Sequence, residues 1–537
     1  MCLKPKEPWP MPKETGEIGA KILAPDSVYK LVGDELFNQF TEADFADLYP
    51  EEGKPGYSPV ILGFVSVFQY IEKYPDRQAA EALRMRMDWK YALHLPLDYA
   101  GFDFSVLSEF RDRLLEQKAE RRIFDRLVEA FHAKGLIKER GKQRTDSMAM
   151  LTKVRRLSRL ELVVESLRLA VSAVLKKDRI WGEAVIPPDW EERYGERFVM
   201  QRHTREEWDG YDRTVGNDGE WFLARVESEG APAELKNLPE VQVLKTVWAQ
   251  QFQQETGKIV YQPSVSYDGH TRIQTPHDPQ ARYSKKRTQE WVGGKVQATE
   301  TDDEGYPHII TDIAGTCSSL TDYEALSPIQ DRLAERKCLP AQQYVDSGYM
   351  SGPNLERSQA QGIHLMGPAQ AVVSRQAKIP DGITTGQFSI DMEHKQVTCP
   401  SGQMTDQHTQ HKEKIRFSFP KEVCQTCPLQ PRCCVGHGGR TVCVGQSYPL
   451  LQQVRERQKT ENFKQDYHKH RSGVEGCLSA LARGNGLRVS RYIGHPKRHL
   501  QALLGGSAAN LKRVARWLAG IRPIRHHRSW KLAPQPA

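Results

Sequence analysis

The chain has 537 residues, 39% of them hydrophobic, ten cysteines and a formal net charge of +8, which implies a soluble globular protein large enough for several cores. The longest apolar run, residues 60–71, is too short to span a bilayer, and the opening MCLKPKEPWPMPKE lacks the apolar stretch of a secretory signal. A membrane or exported protein is therefore not expected. Charge is unevenly spread: residues 467–537 hold 14 Lys or Arg and one acidic residue, Glu475, a formal charge of about +13. Such a surface suits a polyanion, nucleic acid foremost.

In chain order, residues 1–28 are rich in Pro and charge and are expected to be poorly ordered. Residues 29–135 carry helical patterns. Ser58-Pro59 supplies an N-cap and an N1 proline for VILGFVSVFQYIEKY. Pro75-Asp76 ends that helix and caps RQAAEALRMRMDWKYAL, and Ser105 caps SVLSEFRDRLLEQ. Arg77, Arg84, Arg86, Arg111 and Arg113 on these short helices fit either a helix-turn-helix-like DNA reader or the solvated faces of an ordinary bundle. Residues 136–150 hold most of a short strand segment, GKQRTDSMAML (141–151), that carries Asp146. Residues 151–260 read as a mainly helical insertion.

From about residue 261 the texture changes to β-branched segments bounded by Gly, Pro and Asp: WVGGKVQATET, HIITDIAG, AQQYVDSG and GIHLMG. The helical patterns TDYEALSPIQDRLAERK and GPNLERSQAQ separate the last three, so residues 261–395 predict a mixed or parallel α/β sheet. Residues 396–445 are cysteine-rich, residues 446–520 are basic and helical, and residues 521–537 form a basic tail.

Asp346 follows a strand and precedes Ser347-Gly348. That places it at the rim where α/β sheets bind ligands, with Gly348 permitting a sharp turn; an Asp capping the next helix is the other reading. Asp146 carries the same ambiguity. Glu475 lies four residues after Arg471, so the two either form an ion pair on one helix face, or Glu475 is a divalent-metal ligand among phosphate-binding cations. Asp278 in PHDP reads as a turn, Asp312 as loop-facing and Asp322 as a helix N-cap; His277 and Lys295 lie near the core or in solvent. Five cysteines crowd one short region, which points to a reducing compartment and a metal knuckle. Cys399, Cys424, Cys427 and Cys433 offer four thiolates for a closed structural zinc, with Cys434 and Cys443 as spares and free thiols as the alternative.

RTDS around Asp146, YVDSGYMSG around Asp346 and HRSGVEG around Glu475 resemble the three acidic motifs of bacterial insertion-sequence DDE transposases. FSVLSEFRDRL, QTPHDPQARYSKKRTQEWVGGKVQATET, CPLQPRC and GLRVSRYIGHPKRHLQ extend the resemblance over roughly residues 30–520. It implies an RNase H-like α/β core with a mixed sheet, a helical N-terminal region that binds terminal inverted repeats, and helical and cysteine-rich insertions. Asp146, Asp346 and Glu475 would hold two Mg²⁺ or Mn²⁺ ions for DNA cleavage and joining. Ions roughly 3.5–4 Å apart can activate the nucleophile and stabilise the leaving oxygen, and Mg²⁺ needs only oxygen ligands.

The resemblance further implies double-stranded DNA as partner, a homodimer on paired ends, and a bacterial cytoplasmic, nucleoid-associated location. Arg471 matches the family's Arg offset as a phosphate or substrate ligand, and Arg483, Arg488, Arg491, Lys497 and Arg498 are further DNA-contact candidates. The chain departs from the pattern at His468, where Tyr is usual and Tyr467 stands beside it, and at Ala482, where Lys is usual and Arg483 follows. Gly473 and Gly476 weaken the Glu475 helix. A non-catalytic DNA-binding regulator or decayed transposase, and a nuclease without strand transfer, are the alternatives.

Overall fold

The computed structural model describes residues 2–522, apart from 4–8, 156, 203, 205–209, 263–270, 287, 372–373, 413 and 435–437. Its strands, in chain order, begin with β1 (Lys142–Leu151), the hairpin β2 (Phe252–Glu255) and β3 (Lys258–Tyr261), then β4 (Arg282–Lys286) and β5 (Gln289–Thr301). They continue with β6 (Ile310–Cys317), β7 (Gln342–Tyr344) and β8 (His364–Met366). The six short strands that follow are β9 (Ser389–Asp391), β10 (Gln396–Thr398), β11 (Met404–Thr405), β12 (His408–His411), β13 (Lys414–Ser418) and β14 (Thr441–Gly445).

β1 organises the main sheet. It pairs antiparallel with β5 on one side and parallel with β7 on the other, and β8 continues the parallel edge. The long β5 is shared on its far side, its first half pairing β4 and its second half β6, both antiparallel. Parallel neighbours need a helical crossover; helix Asp322–Glu335 lies between β6 and β7, and helix Gly352–Ala360 between β7 and β8. The result is a mixed α/β sheet consistent with an RNase H-like core.

Helix His495–Leu518 packs across β6 and against helix Pro59–Glu72. Its run Gly505-Gly506-Ser507-Ala508-Ala509 is buried, and a Cβ on Gly506 would press on Ile313 of β6 and Phe124. Small side chains thus set the close approach. One continuous apolar cluster runs from Tyr29 through the N-terminal helices and the sheet to Ala515. Each large apolar side chain buried there contributes about 1.5–3 kcal/mol, so the helical N-terminal region and the sheet share a core.

A buried ion cluster sits at the same junction. Asp312 of β6, 1% exposed, binds Arg332 through both carboxylate oxygens and also meets Arg121 and Arg336, while Arg336 reaches Asp125. Burial works to raise the Asp312 carboxyl, but the hydrogen bond from Arg332 and the surrounding guanidinium charges hold it at about 2. The expected loop-facing Asp312 is thus corrected: its charge is interior and matched by three arginines. Asp278 is likewise no simple turn residue. It is fully buried, pairs with Arg498 at 2.5 Å, and accepts from Thr152 Oγ1 and the Gly494 backbone N–H.

Other expectations are amended. Helix Lys13–Ile22 forms within the start expected to be poorly ordered: Gly19 abuts the Tyr91 ring and Thr15 Oγ1 donates to the Leu95 carbonyl. The single helix expected from Arg77 onward is two, Asp76–Met85 and Met87–Ala92, separated by the extended Arg86, which pairs with Glu72 and Asp88. Pro75 is the N-cap residue of the first, and the Asp76 carboxylate binds Arg111. Helix Ser105–Glu116 starts one residue earlier than a Ser105 cap implies, with Asp103 accepting from the Ser105 N–H.

Besides a small cluster of Tyr344, Met366 and Phe463, two further cores are separate from the main one. Helices Arg159–Lys177, Tyr211–Val226 and Pro239–Gln251 with the β2–β3 hairpin enclose the first, around residues such as Val163, Phe222 and Trp248. The second lies between the three-stranded sheets β9–β11 and β12–β14. Residues 523–537, most of the expected basic tail, lie outside the described residues. Among the described residues no helix is long and apolar enough to cross a membrane.

Candidate active site

Strand register brings two carboxylates together. Arg144 of β1 is paired with Tyr344 of β7, parallel; two residues on, each chain segment reaches an Asp, Asp146 and Asp346. Neighbouring strands lie about 4.8 Å apart, and residues two apart on a strand share a face, so this register sets the two acids side by side. Burial raises the Asp346 carboxyl above its ordinary value, and the Asp146 charge raises it further, as does Asp322. Asp346 does not cap the following helix, whose N-cap is Ser351; its Oδ1 accepts from the Gly348 N–H at 2.7 Å. A Cβ on Gly348 would crowd Asp346 and Asp322, so this glycine provides space between carboxylates.

Asp322 was not legible as a neighbour of this pair. The N-cap of its helix is Thr321, which forms a capping box with Glu324, leaving Asp322 to face the sheet. Its carboxylate accepts from Ser147 Oγ at 3.1 Å and lies 3.7 Å from Lys295 Nζ. Lys295 donates to the Leu320 carbonyl. Of the two residues named as near the core or solvated, Lys295 is thus close to the site. His277 binds Glu165 of the helical insertion at 2.7 Å.

Helix Glu461–Arg471 crosses the end of β7. Tyr344 stacks near His470 and donates to Asp466, and Tyr467 donates to the Val345 carbonyl beside Asp346. Arg471, the last residue of this helix, donates from Nη2 to Asp146 Oδ2 at 2.6 Å. Glu475 follows on a separate short helix, Gly473–Ser479, broken from the first at Ser472. It is exposed and lines a groove of about 910 Å³ with Arg471, Tyr467, His468 and Lys464. Among the described residues it makes no ion pair, so the expected Arg471–Glu475 pair is replaced by Arg471–Asp146. The structure therefore joins Asp146, Asp346 and Arg471; Glu475 shares a groove with Arg471 that neither aspartate lines.

Arg144, missed in the sequence, holds this corner. Buried on β1, it pairs with Glu300 and Asp302 at 2.7 Å and donates to the His470 carbonyl at 3.0 Å. A Cβ on Gly473 would overlap its guanidinium. The signal was the glycine, which the sequence pattern presents only as a weak helix former.

The expected DNA contacts separate by environment. Arg483 and Arg488 are exposed. Lys497 pairs with Asp112 at 2.8 Å. Arg491 stacks on Tyr70 and donates to the Tyr74 carbonyl. Arg498 is buried on Asp278, which corrects its expected exposure to DNA: that charge belongs to the interior. In the N-terminal region, Arg111 pairs with Asp76, Arg86 with Glu72 and Asp88, and Arg113 with the Leu48 carbonyl, whereas Arg77 and Arg84 are exposed.

Cys399, Cys424, Cys427 and Cys433 line one small cavity, and burial together with the neighbouring Cys424, Cys434 and Cys399 raises the Cys433 thiol. All ten cysteines are free. Among the described residues no three His, Cys, Asp or Glu side chains are drawn together as ligands of a metal ion.

Residues 19–113 match the family model described as Transposase domain (DUF772), and residues 398–515 match that described as Transposase DDE domain. No curated protein and no solved structure matches the chain. The second match holds Glu475 and its helix, the first the N-terminal helices that share the sheet's core. Together these two matches support an insertion-sequence DDE transposase.

Proposed function

We propose that the protein binds the terminal inverted repeats of its own element, cuts DNA at their ends and joins the freed ends to target DNA. The observation that carries this reading is the in-register pair Asp146 and Asp346, held against each other with Arg471 on one side. The donor set fits a hard divalent ion: two carboxylates whose repulsion an ion would relieve, with Glu475 one turn beyond Arg471. Bound there, Mg²⁺ or Mn²⁺ would supply charge stabilisation and an activated oxygen nucleophile.

The chain's own residues do the remaining work. Asp146 and Asp346 fix the reacting centre on a rigid sheet, and Tyr467 holds the crossing helix to the end of β7. Arg471 is placed to exchange its carboxylate for a DNA phosphate, which a guanidinium can also bind bidentately. Glu475, on the short helix Gly473–Ser479, would be the third ligand. Paired ends make a DNA-bound homodimer the working assembly.

Cleavage of linear DNA bearing the element's ends tests this. Wild type is expected to make metal-dependent cuts at the end boundary, and Glu475→Gln to lose them by about a hundredfold or more while still binding DNA. Equal cutting by both proteins would remove Glu475 from the site. Binding without cutting by either would favour a DNA-binding regulator.

A further inference from the structure

The cysteine-rich module has a core too small for its task. Its two sheets are built from strands of two to five residues, and its buried apolar set comprises Ile383, Phe388, Val397, Ile415, Phe417, Phe419, Val442, Val444 and Tyr448. Cores of that size supply only about 3–5 kcal/mol and natural modules of this kind carry a staple. Disulfides do not serve here, because every cysteine is free.

Four thiols from separate elements line one cavity where a staple would act, although they are not drawn together as ligands there. Cys399 follows β10 directly, Cys424 lies in helix Lys421–Gln425, Cys427 stands two residues beyond it, and Cys433 ends helix Gln430–Cys433. All four line a cavity of about 30 Å³. The Ser401 hydroxyl lies between two of them, 3.1 Å from Cys399 Sγ and 3.5 Å from Cys427 Sγ. The Arg440 backbone N–H donates to Cys424 Sγ at 3.3 Å, a bond that favours thiolate. Among the described residues no carboxylate or imidazole lines the cavity, and the cation there is Arg440. A soft, all-sulfur set selects zinc over magnesium or calcium.

We propose that Cys399, Cys424, Cys427 and Cys433 bind one structural Zn²⁺ that ties the β9–β11 sheet to the two helical turns and the β12–β14 sheet. These four are taken from the six cysteines of the region, of which Cys434 lines the same cavity. Cys434 Sγ is committed as a donor to the Gly438 carbonyl at 3.1 Å, and Cys443 is exposed on β14. On binding, each thiol releases a proton and the Sγ atoms close to about 2.3 Å from the ion. Four thiolates around Zn²⁺ leave a double negative charge, which faces the Arg440 side chain. With four sulfur ligands no coordination position remains for water, so the ion holds structure and does no chemistry.

The test is metal analysis of the full-length protein, purified reduced from zinc-supplemented cells. About one zinc per chain is expected, released by a thiol-specific mercurial, retained in Cys443→Ser and lost in Cys424→Ser and Cys427→Ser. Wild type reconstituted with Co²⁺ gives a readout that does not depend on variant folding: thiolate-to-cobalt charge-transfer bands with intense tetrahedral d–d absorption. Reduced, folded wild type without zinc, zinc retained in Cys424→Ser, or cobalt spectra lacking those bands would each overturn the proposal. DNA cleavage is not read, so the outcome is independent of the transposition chemistry.

Discussion

Asp346 sits beside a like charge in a half-dry site, and its carboxyl is raised by burial first and Asp146 second. The linkage follows from the sign. The unfolded chain loses this proton at the ordinary carboxylate value, while the folded chain keeps it to higher pH. The folded state is therefore destabilised as pH rises from that ordinary value through the raised one. Near neutral pH without divalent ions, Asp346→Asn is expected to stabilise the fold by on the order of 1 kcal/mol. Thermal unfolding checks this: Tm should rise in the variant, and added Mn²⁺ should raise Tm of wild type more than that of Asp346→Asn. An unchanged Tm in metal-free buffer would mean the two carboxylates do not repel. At this scale the sequence was informative where the cause is local. A strand followed by Asp-Ser-Gly marks a sheet rim, and Asp346 was read that way, whereas Asp146 was read within a strand, where β1 holds it. Asp278 with Arg498, and Asp312 with Arg121, Arg332 and Arg336, were not, because mates across as many as 220 residues leave no local pattern.

The Glu475 helix shows how one element depends on its floor. Gly473 lies over Arg144, whereas a Cβ on Gly476 would meet nothing within 4 Å. The same residue type three positions apart should therefore respond oppositely. Gly473→Ala must displace the guanidinium that bridges Glu300, Asp302 and the His470 carbonyl, costing about 1–3 kcal/mol and shifting Glu475. Metal-dependent end cleavage is expected to fall at least about tenfold, the order set by small misplacements of catalytic groups, with DNA binding retained. Gly476→Ala is expected to stabilise by up to about 1 kcal/mol through helix propensity alone. Parallel cleavage and unfolding measurements on the two variants decide this; equal behaviour would deny Arg144 its positioning role. Composition predicted both glycines only as helix weakeners. Their difference lies in which face of the helix meets β1, and that is tertiary information. The helix break at Arg86 had the same origin: Glu72 and Asp88 hold that arginine in extended backbone, against a continuous helical pattern.

Across the whole molecule, the mixed α/β sheet was readable because the β-branched segments that become β6, β7 and β8 are separated by helices of crossover length. The sharing of one core between the N-terminal helices and the sheet was not, since periodicity gives a buried face without saying what covers it. That shared core, from Tyr29 to Ala515, links the two regions that match transposase families to the strands that carry Asp146 and Asp346. In the proposed function this shared framework presents Asp146 as a ligand for a divalent ion. The most direct measurement is end-DNA cleavage by Asp146→Cys in Mg²⁺ and in Mn²⁺. A thiolate is a poor ligand for Mg²⁺ and a better one for the softer Mn²⁺. No cleavage by the variant is expected in Mg²⁺, and partial recovery in Mn²⁺. Cleavage at the wild-type rate in Mg²⁺, or none in either metal from a variant with unchanged Tm, would contradict it.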